Sequence, residues 1–122
     1  MKIESFTDIE SWKLARELVK DVYTVTKNNK FAKDYRLKDQ IQRAVVSIMS
    51  NIAEGFDSNS NKTFINFMNY SYRSASEVES LLYVALDLEY ITKTEFDELK
   101  EKVSTTKKLI GGFIKYLKST SN

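Results

Sequence analysis

The sequence predicts an all-α fold, an antiparallel up-down-up-down four-helix bundle. Its 122 residues include no proline and only three glycines, which favours long helices over a turn-rich β fold. Apolar residues make up 42% and charged residues 30%, a composition typical of globular proteins. We expect a single domain over residues 1–122, because this length suits one hydrophobic core.

The first helix is predicted over residues 7–28. Thr7 and Glu10 have the spacing of a capping box, in which two side chains satisfy free backbone N–H groups at the start of a helix. Apolar residues then recur with helical spacing, among them Trp12, Ala15 and Val22. Residues 28–35 are expected to form a loop or a short turn.

The second helix is predicted over residues 36–54, with Gly55 as a left-handed C-cap. Its most informative part is residues 40–55, QIQRAVVSIMSNIAEG. The apolar residues there cover more than one stripe, which indicates a helix that is buried on several sides or faces a second subunit. The polar residues fall in one narrow band around the helix axis, namely Arg36, Arg43, Ser47 and Glu54.

The third and fourth helices are predicted over residues 61–90 and 93–118. Ser60 or Asn61 is the expected N-cap of the third helix, and Thr92 with Glu95 forms a second capping box. The pair at 111–112, Gly-Gly, lies inside the fourth helix, where a bend or a close helix contact would explain it. Four helices with short connections predict the antiparallel bundle.

The residue types exclude several kinds of chemistry. Histidine and cysteine are absent, which removes the commonest general base, the commonest metal ligand and any disulfide. There is no glycine-rich phosphate loop. We therefore expect a protein that is not an enzyme and holds no cofactor or metal; an enzyme with an unrecognised site is the alternative class. No apolar run approaches a membrane span and no signal peptide is evident, so a cytoplasmic protein without membrane contact is expected.

Short motifs along nearly the whole chain match one protein family. They are Trp12-x-x-Ala15 with Tyr23, residues 40–55, Phe64-x-x-Phe67, Ser74-x-x-Glu77, and LIGGFIKYLKS at 109–119. On these residues the chain resembles the four-helix-bundle family whose members include proteins encoded in intervening sequences of bacterial 23S ribosomal RNA genes. One difference is the segment FAKDY at 31–35, where members tend to carry a proline.

The resemblance implies a left-handed antiparallel bundle that assembles into a ring-like homopentamer and has no known catalysis. It also implies that Val46, Met49 and Ala53 contact a neighbouring subunit. A related group serves as the accessory protein of diversity-generating retroelements, where a basic barrel binds a reverse transcriptase and nucleic acid. With a net charge of +2, this chain is less basic than that group, which makes the retroelement role the second alternative. A self-assembling protein without a ligand is the third.

Polar residues of the second and third helices are interpreted as a structural network rather than as a pocket. An unpaired buried charge is costly, so we expect Arg43 to pair with Glu77 or Glu54. The serines and Asn51 are expected to satisfy backbone or amide groups. The network or subunit interface comprises Arg43, Ser47, Asn51, Glu54, Ser74 and Glu77. No nucleophile–base pair accompanies these residues, which argues against a catalytic site.

The fourth helix carries the candidate binding surface. Five lysines project within about 100° of one another and form what we call the lysine face: Lys100, Lys107, Lys108, Lys115 and Lys118. It is expected to lie opposite the apolar stripe and to be exposed. The functional interpretation is that these lysines contact the phosphates of RNA. The partner is either RNA itself or a protein that is bound to nucleic acid. An ordinary solvated helix face is the alternative.

Tyrosines of the third helix lie off its main apolar stripe. They are Tyr70, Tyr72, Tyr83 and Tyr90. We expect them at a subunit interface, where a tyrosine combines a large contact area with a polar tip.

Overall fold

A computed structural model of the protein describes residues 2–120. Within these residues the chain forms a short 3-10 helix, Phe6–Asp8, and five α-helices, and it contains no strand. The α-helices are α1 (Glu10–Val25), α2 (Asn29–Lys33), α3 (Tyr35–Asp57), α4 (Asn61–Asp87) and α5 (Lys93–Ser119). The all-α prediction is confirmed, and four of the five described α-helices are long.

Helix α3 packs against four other elements. It contacts α1, α2, α4 and the 3-10 helix, whereas α5 packs against α1 and α4. Buried apolar side chains from all five α-helices form one core, and its largest fully buried members include Leu18, Phe31, Ile41, Ile48, Ile52, Met68, Leu82 and Ile110. Val46 and Met49 are half-buried and pack against this core. Part of the extra apolar surface of α3 is therefore used inside the chain.

The start of α1 differs from the prediction at Thr7. The capping box that forms is Ser5–Asp8, two residues before the predicted one. The Ser5 hydroxyl accepts from the Thr7 amide at 3.2 Å and the Asp8 carboxylate accepts from the Ser5 amide at 3.1 Å. This box caps the 3-10 helix. Ile9 is then extended and buried, which interrupts the helical path, and α1 begins at Glu10. Thr7 is thus not the N-cap of α1.

The predicted loop between the first two long helices contains helix α2. Its anchor is Phe31, which is fully buried and lies with its ring centroid 5.3 Å from that of Tyr90. The Asp34 carboxylate then accepts hydrogen bonds from the Leu37 amide at 3.1 Å and from the Tyr90 hydroxyl at 2.9 Å. One aspartate therefore caps α3 and links its start to the segment that follows α4.

Gly55 is not a C-cap, contrary to the prediction. Helix α3 continues through it to Asp57, and the left-handed residue of the following connection is Asn59, at φ 58°. A Cβ atom at Gly55 would lie 2.6 Å from Phe64 Cδ1 and 2.9 Å from Phe67 Cβ. Close approach of α4, rather than a left-handed turn, is therefore what requires glycine at this position.

The remaining connection joins α4 to α5. Helix α4 ends at Asp87, three residues before the predicted end, and Glu89 takes up a left-handed conformation at φ 59°. The capping box predicted at Thr92 is present, with Thr92 and Glu95 each accepting from the other's backbone amide. Among residues 2–120, apart from adjoining residues and the backbone of α5 itself, no heavy atom comes within 4 Å of the position of a Cβ at Gly111 or Gly112, so the chain makes no close helix contact there.

Candidate nucleic-acid interface

The lysine face divides into two parts in the folded chain. Lys108, Lys115 and Lys118 are exposed, as expected. Lys100 and Lys107 are partly buried because they lie against residues of α4, which corrects the prediction of one exposed face opposite the core. The reason is that α5 has neighbours on two sides, α1 and α4, so a band about 100° wide extends from open solvent into one of these contacts.

Lys107 is held between an acid and an aromatic ring. Its Nζ lies 3.3 Å from Glu79 Oε1 and 5.0 Å from the ring centroid of Tyr72. Both partners belong to α4. The ammonium therefore combines an ion pair with a cation–π contact, and its charge is partly neutralised by Glu79.

Lys100 makes a similar contact two turns earlier on α5. Its Nζ lies 5.4 Å from the ring centroid of Tyr83 and 6.0 Å from that of Phe96. The neighbouring Tyr83 hydroxyl is the main cause of a raised pKa of Lys100. The ammonium thus stays charged at neutral pH.

We call these five residues the α4–α5 seam: Tyr72, Glu79, Tyr83, Lys100 and Lys107. Both tyrosines were predicted to lie at a subunit interface, without a connection to the lysines. A signal was present, because positions 72, 79 and 83 are separated by seven and four residues and so lie in one line along a helix. What the sequence lacked was the register between α4 and α5, which brings each lysine to its ring.

Three members of the expected polar network do come together. The Ser47 and Ser74 hydroxyls hydrogen-bond at 2.8 Å between α3 and α4. The Asn51 amide donates to the Ser47 hydroxyl at 2.9 Å and to the Ser47 carbonyl at 2.8 Å. A buried hydrogen bond that the sequence analysis did not identify lies beside them, from the Ser71 hydroxyl to the Ile48 carbonyl at 2.7 Å.

The charged members of that network do not join it. Arg43 donates to Asp39 at 2.9 Å on its own helix, not to Glu77 or Glu54 as predicted, and its side chain is 79% exposed. Glu77 accepts instead from the Gln40 amide at 3.3 Å, and Glu54 is exposed. Because Arg43 lies at the surface, its charge is solvated and does not require a partner on another helix. Asp39, one turn away on α3, is near enough to form the pair.

A groove of about 620 Å³ lies between α1 and α5. Lys102 of α5 crosses it to Asp21 at 2.7 Å and Glu17 at 3.4 Å. The hydrogen bond to Asp21 is the main cause of the raised pKa of Lys102, although burial opposes it. Carboxylates of Glu95, Glu98 and Glu101 line the same groove. Over residues 2–120, however, no group of three or more acidic side chains is arranged to hold a metal ion.

None of the helices in the described part of the chain has the length and hydrophobicity needed to cross a membrane.

Comparison with known proteins identifies the family. A family model described as 23S rRNA-intervening sequence protein matches residues 7–112. A crystal structure of a protein of unknown function from the S23 ribosomal protein family of Bacteroides thetaiotaomicron is 27% identical in sequence, with a TM-score of 0.79. The similarity covers 86% of this chain and 98% of that one. Among curated proteins no match was found. The chain therefore belongs to the family of 23S rRNA-intervening sequence proteins.

Proposed function

We propose that this chain is a non-enzymatic, self-associating scaffold that acts in the cytoplasm and binds RNA, free or within a ribonucleoprotein, through the lysine face of α5. The observation that carries the proposal is the state of three lysines. Lys108, Lys115 and Lys118 are exposed, and none of the ion pairs within residues 2–120 involves them. Such lysines are available to phosphates, and repetition around an assembly would multiply the contacts.

The family to which the chain belongs is the reason for proposing RNA as the ligand. Its name refers to sequences that intervene in 23S rRNA, and the similar structure from Bacteroides thetaiotaomicron is assigned to a ribosomal protein family. The absence of histidine and cysteine from the sequence supports a non-enzymatic role, because it leaves few side chains suited to acid–base or nucleophilic chemistry at neutral pH.

The proposed scaffold is an antiparallel four-helix bundle. Hydrogen bonds between α3 and α4 join residue 40 to 77, 47 to 74 and 48 to 71, so the numbers rise on one helix as they fall on the other. Aromatic and cation–π contacts between α4 and α5 follow the same trend, from Phe64 with Phe113 to Tyr83 with Lys100. The left-handed twist and the ring-like homopentamer rest on the family resemblance.

Charge reversal tests RNA binding. In a filter-retention assay with single-stranded RNA, a triple variant with Lys108→Glu, Lys115→Glu and Lys118→Glu should lose most retention at low salt. The slope of log affinity against log salt should also become less steep by about 2, since each lost phosphate contact removes roughly 0.7 for a single strand.

The matched control reverses three exposed lysines that lie outside α5. Lys20→Glu, Lys27→Glu and Lys30→Glu change the net charge equally, but these residues lie on α1 and α2 or between them. The control should keep most of the affinity, because it leaves the lysine face intact. Equal losses in both triple variants would mean that only net charge matters, and the lysine face would be rejected as a site.

Mass measurement tests the assembly. Light scattering coupled to size-exclusion chromatography should give five times the mass of one chain for the homopentamer. A monomer at every concentration would reject the self-associating scaffold while leaving RNA binding to be judged by the retention assay. A ring that retains no RNA would favour the self-assembling protein without a ligand.

A further inference from the structure

We propose that the α4–α5 seam binds single-stranded nucleic acid by stacking bases on Tyr72 and Tyr83, with Lys100 and Lys107 at the adjoining phosphates. This inference rests on the proposed RNA binding and makes it more specific. Both rings are large, aromatic and substantially exposed, at 39% for Tyr72 and 42% for Tyr83. A lysine ammonium lies over one face of each ring, within 5.4 Å of its centroid, so a base would stack on the opposite face.

The same two-residue arrangement therefore occurs twice on one surface. Tyr72 and Tyr83 are separated by three helical turns, roughly 16 Å along α4. An aromatic ring beside a cation is the combination with which proteins hold single strands, because any base can stack and every nucleotide carries a phosphate. Two such pairs in line fit a short segment of strand better than an isolated small ligand.

The seam is partly ordered before any ligand arrives. The Tyr83 ring stands edge-on to the buried Phe96, with centroids 4.9 Å apart and an angle of 64° between the planes. On the other side, the Lys107 ammonium beside Tyr72 is held by Glu79. Fixed rings and fixed cations lose little conformational freedom on binding, which favours affinity.

Single strands are the ligand that this arrangement selects. In a duplex each base is already stacked between its neighbours, so its face cannot reach Tyr72 or Tyr83. Lysines alone would bind single strands and duplexes through phosphate in a similar way. A preference for single strands that depends on the two tyrosines is therefore the signature of the seam.

Glu79 supplies a second, independent signature. Its carboxylate neutralises Lys107 and would repel a phosphate bound there. Glu79→Gln should therefore strengthen binding of single strands severalfold and make the salt dependence steeper by about 0.7, the value for one additional phosphate contact. A variant that gains affinity cannot be explained by loss of folding.

The experiment measures fluorescence anisotropy of three labelled probes, a 12-nucleotide oligo(U), the matching oligo(dT) and a 12-base-pair RNA duplex. The double variant Tyr72→Leu/Tyr83→Leu should bind oligo(U) at least about tenfold more weakly, because loss of a stacked base costs roughly that much per ring. Its affinity for the duplex should not change. A thermal melt followed by circular dichroism establishes that it folds.

The control removes two other exposed tyrosines that lie beside cations. Tyr35 is 73% exposed with Lys38 at 5.3 Å, and Tyr70 is 49% exposed with Arg73 at 5.9 Å. Neither belongs to the seam, so Tyr35→Leu/Tyr70→Leu should stay within about twofold of wild type for every probe.

The outcomes separate this proposal from the one on which it rests. If wild type binds none of the probes, RNA binding itself is refuted and the seam with it. If the lysine triple variant loses affinity while both tyrosine double variants keep it, RNA binding stands and the seam is refuted. A wild type that prefers the duplex also refutes the seam. Equal binding of oligo(U) and oligo(dT) supports stacking and phosphate contact alone, and tighter oligo(U) binding supports the seam with an added contact to the 2′-hydroxyl.

Discussion

Gly55→Ala should destabilise the protein even though alanine favours helices. Gly55 lies inside α3 with helical backbone angles, where alanine alone would gain about 1 kcal/mol over glycine. The added Cβ, however, would meet Phe64 Cδ1 at 2.6 Å and Phe67 Cβ at 2.9 Å. Contacts this short require the neighbouring atoms to move.

Neither neighbour can move easily. The Phe64 ring is buried and lies 6.3 Å from the ring of Phe56 and 5.3 Å from that of Phe113. Phe67 presents its Cβ, which moves only with the backbone of α4. Overpacking of this kind costs about 1–3 kcal/mol, and the rigid surroundings place this site in the upper part of that range. After subtraction of the gain in helix propensity, we expect a net loss of about 1–2 kcal/mol.

The assay is unfolding in urea and by heat, with two internal controls. A loss of 1–2 kcal/mol corresponds to a drop in Tm of about 4–8 °C for a domain of this size. Gly111→Ala and Gly112→Ala should change stability in the opposite direction, by about 0.5–1 kcal/mol each, because no atom lies within 4 Å of either new Cβ. The same Gly→Ala substitution in a helix interior should thus destabilise the protein at position 55 and stabilise it at positions 111 and 112.

A Gly55→Ala variant as stable as wild type, or more stable, would refute the close approach of α3 and α4 at this position. Loss of stability in Gly111→Ala or Gly112→Ala would refute the open environment of that pair. If this loss grew with protein concentration, the glycine pair would lie at a contact between subunits, because only an assembled species would be affected.

The remaining predictions concern polar contacts. Ser71→Ala should cost about 1 kcal/mol in urea unfolding, because its buried hydroxyl donates to a carbonyl of α3; an unchanged midpoint would show that this bond contributes nothing net. Tyr90→Phe should lower the urea midpoint at pH 7 by removing the bond to Asp34, and a midpoint equal to that of wild type would reject this link. The same hydrogen bond raises the pKa of Tyr90. The bond therefore stabilises the fold fully below about pH 10, and this stabilisation is lost as the pH rises through the raised pKa. The difference in urea midpoint between wild type and Tyr90→Phe should shrink above about pH 10. Arg43→Ala should change stability by less than about 0.5 kcal/mol, since its pair with Asp39 is exposed, and a larger drop in Tm would indicate an intersubunit role.

Two capping boxes with the same local spacing were predicted, and only one of them formed. The Thr92 capping box needs only four consecutive residues, and it formed as predicted. The box predicted at Thr7 has the same spacing but did not form. The burial of Ile9 in an extended conformation and the competing Ser5–Asp8 box decided the outcome there. Which of the two capping boxes is favoured depends on how Ile9 packs in the core, and the local sequence does not contain that information.

The candidate site was predicted only in part for a similar reason. Helical periodicity grouped the lysines of α5, because position around one axis depends on spacing alone. It could not tell which of them would meet α4, since that depends on how two helices are placed against each other. The tyrosine partners of Lys100 and Lys107 followed from that placement. Arg43 paired with Asp39 of its own helix rather than with Glu77 or Glu54 because its side chain lies at the surface.

Composition and periodicity were sufficient to determine that this chain is all-α, because the absence of proline and the 3.6-residue apolar repeat act within each helix separately. The family followed from short motifs that can be compared without coordinates. Only the tertiary structure decided the role of Gly55 and the composition of the α4–α5 seam. Both depend on distances between helices far apart in the chain, and such distances are set by how side chains fill the shared core.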